Sequence, residues 1–318
     1  MNPIERGQAL FKSIATQNTA ALNKAQSKLG TAASTGQKEM ANKGRQLGQT
    51  MDAFVRSTAN KARPVLQPFG LGNQPDLKYD GYLIGSHGQP FPPSIPLKDI
   101  PGVLPRGNPN PSGTVIFING VRNDVGGQFR TLEALADTTK SKAVGVHNAT
   151  RGAVPDSVQT LSDISGKEGN RAVSTLSNLV YKELQAGRPV HLLAHSQGAL
   201  VTSLALSKLA LQLAKEDKLS PAQVEKKLSQ VSVETFGGVA KSYPIGPRYV
   251  HYVNDADVLA TGLGLGKDSR SDPSKGVVVH HFREGSEGDV TFESTHAIVD
   301  VYLKHRVPFS AAREGRFK

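Results

Sequence analysis

The spacing of apolar positions changes at about residue 113. Residues 1–60 carry few large apolar side chains, and only 47–55 have clear helical spacing. Residues 64–113 are dense in Pro and Gly, which predicts short extended segments and turns. After 113, short β-branched runs alternate with longer periodic runs. The pattern therefore predicts a helix-prone or flexible N-terminal segment (1–75), a Pro/Gly-rich connector (76–112) and a folded domain (113–318).

The folded domain has the pattern of an α/β protein. Six short apolar runs predict buried strands, at 113–120, 142–149, 188–196, 231–238, 247–255 and 275–284. Five longer runs predict helices, at 127–140, 170–187, 197–216, 220–230 and 294–305. Alternating strands and helices predict a mostly parallel sheet with helices on both faces. Functional residues are then expected in the loops beyond the carboxyl ends of the strands.

One serine lies between a predicted strand and a predicted helix, in the stretch "VHLLAHSQGALVTSLAL". This context is typical of a nucleophile elbow, a sharp turn that exposes a serine hydroxyl at the top of the sheet. The usual pattern is G-x-S-x-G, and Ala194 replaces its first Gly, while Gly198 keeps the second. The sequence therefore predicts Ser196 as a nucleophile. The alternative is an ordinary helix N-cap, where Ser is also favoured.

A serine nucleophile needs a base and an acid, which follow it in the order Asp or Glu, then His. Asp255 and Asp257 follow the strand "PRYVHYVND". Asp257 lies further into the loop and is the preferred acid, with Asp255 as the alternative. His296 lies just before the last predicted helix and is the candidate base. As alternatives, the aspartate is a helix or turn cap and the histidine an exposed loop residue.

An oxyanion hole requires two backbone N–H groups directed at the developing negative charge. Gln197, the residue after the nucleophile, is the first candidate donor. The second is Val121, in the loop "FINGVRND", where Gly120 allows the backbone to approach the substrate. The alternative for this loop is a plain Asn-Gly turn.

Three stretches together resemble the α/β-hydrolase superfamily, and within it the class-three lipases. "AHSQGALV" is similar to their elbow, "ETFGG…GPRYVHYVNDADVL" to their Asn-x-x-Asp segment, and "STHAIVDVYL" to their ending around the base. The resemblance covers about 113–308. Asn254 and Asp257 take the family's Asn and Asp positions, which implies Asp257 as the triad acid. It also implies a lipase or phospholipase A, a serine ester hydrolase that acts on lipid esters without a cofactor or metal. The departures, Ala194 and "NG" in the oxyanion loop, bear mainly on the oxyanion assignment.

The whole chain also resembles phospholipase effectors that bacteria inject into competitors, such as type VI lipase effectors. That resemblance implies a cytoplasmic protein exported by a dedicated secretion system, with an immunity partner. Two Gly/Ser-rich loops, 154–170 and 262–276, are candidate lids or plain surface loops.

Charge and composition limit the partners. Residues 1–75 hold ten Lys or Arg against three Asp or Glu, so the basic excess lies mainly there and suits an anionic membrane surface. Aromatic residues do not interleave with these charges, which argues against nucleic acid. The chain has no Cys, and its sequence predicts neither a signal peptide nor a transmembrane segment. The alternatives are a soluble carboxylesterase or thioesterase, and a non-catalytic binding protein on a hydrolase fold.

Overall fold

The computed structural model describes residues 76–121, 123–149, 170–285 and 292–318. With the exception of Asn170, these residues fall in one compact unit formed by Asn73–Arg151 and Arg171–Lys318. The predicted N-terminal segment (1–75) and the candidate lid at 154–170 lie outside the described residues, apart from Asn170.

An eight-stranded sheet forms the centre of this unit. Its strands are β1 (Leu83–Ile84), β2 (Pro90–Phe91), β3 (Thr114–Ile118), β4 (Lys142–Val146), β5 (Val190–His195), β6 (Val231–Phe236), β7 (Arg248–Asn254) and β8 (Val277–Phe282). They lie in the order β2-β1-β4-β3-β5-β6-β7-β8. Strands β3 to β8 pair in parallel, and β1 is antiparallel to both β2 and β4. The six predicted strands and the mostly parallel sheet are confirmed.

Six α-helices accompany the sheet in the described residues: α1 (Val125–Thr139), α2 (Arg171–Gln185), α3 (Gln197–Lys215), α4 (Pro221–Leu228), α5 (Val258–Gly262) and α6 (Phe309–Arg313). Buried side chains of α2, α3 and α4 pack with one face of the sheet. Those of α1 and the C-terminal residues pack with the other face. This arrangement confirms an α/β fold with helices on both faces.

The strands β1 and β2 come from residues 76–112, the segment expected to be a connector. Both strands are only two residues long, and Leu83 and Ile84 are fully buried. Ile100 and Val103, from the same segment, also lie in the core. The Pro/Gly-rich segment therefore contributes short extended pieces to the edge of the sheet.

The helix expected over 294–305 does not form as a regular α-helix. The structure has a π-helical turn at Phe292–His296 and a 3-10 turn at Tyr302–His305. Between them, the N–H groups of Tyr302 and Leu303 donate to the carbonyls five residues earlier, those of Ala297 and Ile298. These widened turns let the Tyr302 hydroxyl reach Asp257 while Ile298 stays buried. None of the described helices combines the length and apolarity needed to cross a bilayer.

Candidate active site

Ser196 lies at the turn between β5 and α3, in a strained backbone conformation. Its φ is 54° and its ψ is −121°, a region that residues other than glycine rarely adopt. Such strain persists only where the surrounding structure fixes it. Here the Ser196 N–H donates to the carbonyl of Phe236 (3.0 Å), and the Ser196 carbonyl accepts from the N–H of Val239 (3.1 Å). The residues at and after the end of β6 therefore hold the serine backbone on both sides.

Small residues make this turn possible, as the sequence predicted. A Cβ at Gly198 would overlap the main-chain carbonyl of Ile118, so only glycine allows α3 to start so close to β3. Ala194 is fully buried within β5. The Ala194 departure from the usual elbow pattern therefore leaves the tight strand–turn–helix geometry intact.

The loop after β3 passes directly over the serine. A Cβ at Gly120 would lie 2.7 Å from the Cβ of Ser196, closer than side chains can pack. Val121, the second predicted oxyanion donor, follows at this point and is half-buried. Gln197, the first predicted donor, is fully buried at the start of α3. The predicted donor residues therefore lie on the two segments that meet at Ser196.

A buried amide network joins these segments. Asn119 Oδ1 accepts from the N–H of Asn148 (2.8 Å), and Asn119 Nδ2 donates to the Asn148 carbonyl (2.9 Å). Asn148 Nδ2 then donates to Gln197 Oε1 (2.7 Å). Sequence reasoning missed both asparagines, although each follows a buried strand at the edge where the site was expected.

Asp257 and His296 come together in a buried pair. Asp257 Oδ2 lies 2.5 Å from His296 Nδ1, and the two side chains are 1% and 4% exposed. Asp257 Oδ1 accepts from the N–H groups of Leu259 (2.9 Å) and Ala260 (3.3 Å), so the residue also caps α5. The aspartate is therefore both the helix cap considered from sequence and the partner of His296.

Tyr302 is a third partner of this carboxylate. Its hydroxyl donates to Asp257 Oδ2 (2.6 Å), and sequence reasoning did not single it out. Burial alone would raise the pKa of Asp257. The charge and hydrogen bond of His296, together with the hydroxyl of Tyr302, outweigh that effect and lower the pKa below its usual value. Asp257 is therefore an anion that holds Nδ1 of the imidazole as a donor.

Asp255, the alternative acid, pairs with a different histidine. Its Oδ1 lies 2.8 Å from His281 Nδ1, and His281 Nε2 lies 3.1 Å from the hydroxyl of Ser269. This second Ser-His-Asp set has no nucleophile elbow, because Ser269 lies in the loop before β8 and donates its hydroxyl to the carbonyl of Gly266 (2.8 Å). The structure therefore separates the two aspartates, and only Asp257 lies against His296.

Ser196 and His296 are both buried. His195 precedes the serine in the chain, and its ring packs against that of His296. The His195 ring lies 4.8 Å from that of His296, centroid to centroid, with the planes tilted by 41°. A strained serine after β5, an aspartate after β7 and a histidine after β8 therefore share one end of a mostly parallel sheet. This is the chain order and placement of the α/β-hydrolase fold.

Two solved structures with similarity to the chain are hydrolases. An α/β serine hydrolase without a lid from Xanthomonas campestris gives a TM-score of 0.31 and 14% identity, covering 58% of this chain and 78% of its own. An esterase from Pyrobaculum calidifontis gives a TM-score of 0.37 and 12% identity, covering 86% of this chain and 98% of its own. At these values neither neighbour assigns an activity to this chain. No protein-family model matches the chain, and no curated protein matches it significantly.

Proposed function

We propose that the chain is a serine ester hydrolase that acts on lipid esters, as a lipase or phospholipase A. The observation that carries the proposal is the strained Ser196 at the same end of the sheet as the buried Asp257–His296 pair. An ordinary N-cap serine needs neither a positive φ nor a loop glycine, here Gly120, packed against its Cβ.

In the proposed reaction, His296 Nε2 takes the proton of Ser196 as Oγ forms a bond to the ester carbonyl carbon. Asp257 holds the imidazole tautomer and stabilises its positive charge. The N–H groups of Val121 and Gln197 stabilise the oxyanion. His296 then protonates the departing alcohol, and water activated by the same imidazole releases the acid from Ser196.

The lipid part of the proposal rests on the sequence. The elbow, the Asn-x-x-Asp segment and the ending around His296 resemble lipases, and the basic residues within 1–75 suit an anionic membrane surface. An ester buried in a bilayer must be reached at the interface, which a positively charged segment favours.

The first experiment uses vesicles of phosphatidylglycerol and phosphatidylethanolamine, with released fatty acid and lysolipid as the readout. The wild type should release fatty acid, and Ser196→Ala and His296→Ala should not. Ser269→Ala is the matched control, because it removes the hydroxyl of the other Ser-His-Asp set and should retain full activity.

Three results would contradict part or all of the proposal. Cleavage of p-nitrophenyl butyrate without release from vesicles would indicate a soluble carboxylesterase or thioesterase. Loss of activity in Ser269→Ala but not in Ser196→Ala would overturn the site assignment. No turnover of any ester, with salt-sensitive binding to a partner, would indicate a binding protein on a hydrolase fold.

An antibacterial role extends this proposal and rests on the resemblance to phospholipase effectors. The chain would then be made in the cytoplasm, exported by a dedicated system and neutralised by an immunity partner. Expression directed to the periplasm of a Gram-negative host should arrest growth, and Ser196→Ala should relieve the arrest. Growth unaffected by active protein would contradict this extension while leaving the ester hydrolase proposal intact.

A further inference from the structure

Two buried side chains hold the main chain on either side of the candidate base. The carbonyl of Thr295 accepts a hydrogen bond from Asn254 Nδ2 (2.9 Å). The carbonyl of His296 itself lies 2.8 Å from His195 Nε2. Asn254 and Thr295 are almost completely buried, and His195 is only 9% exposed. Both carbonyls that flank the Cα of His296 are therefore fixed by side chains from other elements.

Asn254, the last residue of β7, uses all of its hydrogen-bonding capacity in this region. Its Oδ1 accepts from the N–H groups of Ala256 (3.1 Å) and Glu284 (3.0 Å). Its Nδ2 donates to the carbonyl of Glu284 (2.8 Å) as well as to that of Thr295. An amide offers two acceptor sites and two donor hydrogens, and all four are occupied. One side chain thus ties the Asp257 loop, the segment after β8 and the segment of the base together.

His195, the residue before Ser196, ties the nucleophile elbow to the same segment. Burial, reinforced by the neighbouring His296, lowers the pKa of His195 to about 3, so its ring is neutral. A carbonyl only accepts hydrogen bonds, so Nε2 must carry the proton and donate to His296. The ring also lies beneath the loop after β3, since a Cβ at Gly120 would be 3.3 Å from His195 Nδ1.

We infer that Asn254 and His195 are positioning residues that set the place of the His296 imidazole between Asp257 and Ser196. The inference rests on the proposed function. A single rigid ring must present Nδ1 to the acid and Nε2 to the nucleophile, so any shift of its backbone misaligns both nitrogens. A misplacement of about 1 Å in a reacting group can cost about 100-fold in rate.

The test compares two replacements of His195. Leucine removes the donor and keeps an apolar side chain, whereas glutamine places an amide N–H where Nε2–H was. We expect His195→Leu to lower kcat about 100-fold, with KM changed by less than about twofold, because the lost alignment acts on the transition state. His195→Gln should recover most of that loss. Asn254→Asp keeps shape and acceptor oxygens but removes both donors, and should also lower kcat with little change in KM.

A second readout is independent of turnover. The proton between His296 Nδ1 and Asp257 should give a low-field proton resonance that is absent in His296→Ala. His195→Leu and Asn254→Asp should shift or broaden this resonance while the melting temperature shows a folded protein, and His195→Gln should restore it.

The two readouts separate the inference from the proposed function. Wild-type protein inactive on every ester, with the resonance still perturbed in His195→Leu, would contradict the proposed function and retain the positioning role. Active wild type with kcat and the resonance unchanged in both His195→Leu and Asn254→Asp would overturn the inference. Equal losses in His195→Leu and His195→Gln would also overturn it, because the hydrogen bond would then not be the cause.

Discussion

At the scale of single residues, Ser196 is held in a backbone conformation that its side chain disfavours. The positive φ of 54° is imposed by hydrogen bonds to residues at and after the end of β6. A strained residue of this kind costs about 1–3 kcal/mol of stability. The candidate nucleophile is thus a site where geometry is maintained at the expense of folding free energy.

Two replacements of Ser196 separate strain from chemistry. Ser196→Gly and Ser196→Ala both remove the hydroxyl, but only glycine adopts this conformation without a Cβ clash. We expect Ser196→Gly to be more stable than Ser196→Ala by about 1 kcal/mol, with both variants inactive. Urea denaturation of the two variants checks the difference. Equal stability would mean that the surrounding structure relaxes around the alanine.

Gly120 gives a second prediction at this scale. A Cβ there would lie 2.7 Å from the Cβ of Ser196, so Gly120→Ala must displace the predicted oxyanion loop. Losing one oxyanion donor typically costs about 100- to 1000-fold in kcat, and we expect a loss of that order. Gly126→Ala is the control, because a Cβ at Gly126 in α1 meets only ordinary contacts at 3.6 Å and beyond. It should keep full activity and melt at the same or a higher temperature.

Tyr302 gives a third prediction. Tyr302→Phe removes one hydrogen bond to the buried Asp257 carboxylate. Hydrogen bonds to charged groups contribute about 1.5–3 kcal/mol, so the variant should lose stability of that order. Thermal or urea unfolding measures the loss. Unchanged stability would indicate that water replaces the hydroxyl at Asp257.

At the scale of elements, the sequence predicted the strands more accurately than the segments between them. The runs that became β3 to β7 are apolar and almost entirely buried, so their local pattern and their tertiary environment agree, whereas only Val278 of β8 is buried. The two-residue strands β1 and β2 have too few residues to show a period, and only their partners in the sheet define them. The expected helix over 294–305 is replaced by wider turns, and these place Tyr302 against Asp257, a contact between distant residues that no local pattern shows.

The same distinction applies to the candidate site. Chain order and local context were enough to propose Ser196 and His296 and to limit the acid to Asp257 or Asp255. Asn119, Asn148 and Tyr302 each act through a partner at least 29 residues away, so no local pattern marks them. The pairing of each aspartate with its own histidine likewise required the register of β7 and β8.

That pairing gives a matched prediction for the loop after β7. Asp257→Asn should lower kcat by about 10⁴-fold, because the amide favours the wrong tautomer of His296. Asp255→Asn changes the same functional group two residues away, where it meets His281 instead. It should leave kcat within about twofold, as expected for a side chain outside the reaction. Ester hydrolysis by both variants decides between them, and the opposite ranking would exchange their roles.

At the scale of the whole molecule, buried histidines link stability to pH. Burial lowers the pKa of His147 to about 4 and that of His251 to about 3, and His195 has a similarly low value of about 3. Below the ordinary histidine pKa of about 6.5, the unfolded chain therefore binds protons that the folded protein does not. Stability is full above that value and falls as the pH drops toward the folded-state values.

We expect the free energy of unfolding to decrease between about pH 7 and pH 5, by up to about 1.4 kcal/mol per histidine and pH unit. Urea denaturation across this range measures the slope. His147→Gln removes one of these groups and should make the slope shallower. A free energy of unfolding that is flat over this range would show that these rings accept protons without unfolding.

The last residues before β8, 271–276, belong to the loop that the sequence offered as a lid or a plain surface loop, and they lie along the outer edge of the sheet. The hydroxyl of Ser271 accepts from the Val279 N–H (2.9 Å), and Asp272 pairs with Val277. Exposed edges invite other strands to pair, which leads to aggregation. Here the Ser271 hydroxyl occupies the hydrogen-bonding position that the peptide group of a ninth strand would take. A further strand can pair with β8 at Val277 and Val279 only after this loop detaches from it. Resistance to fibril formation through this edge therefore depends on how tightly the loop is bound.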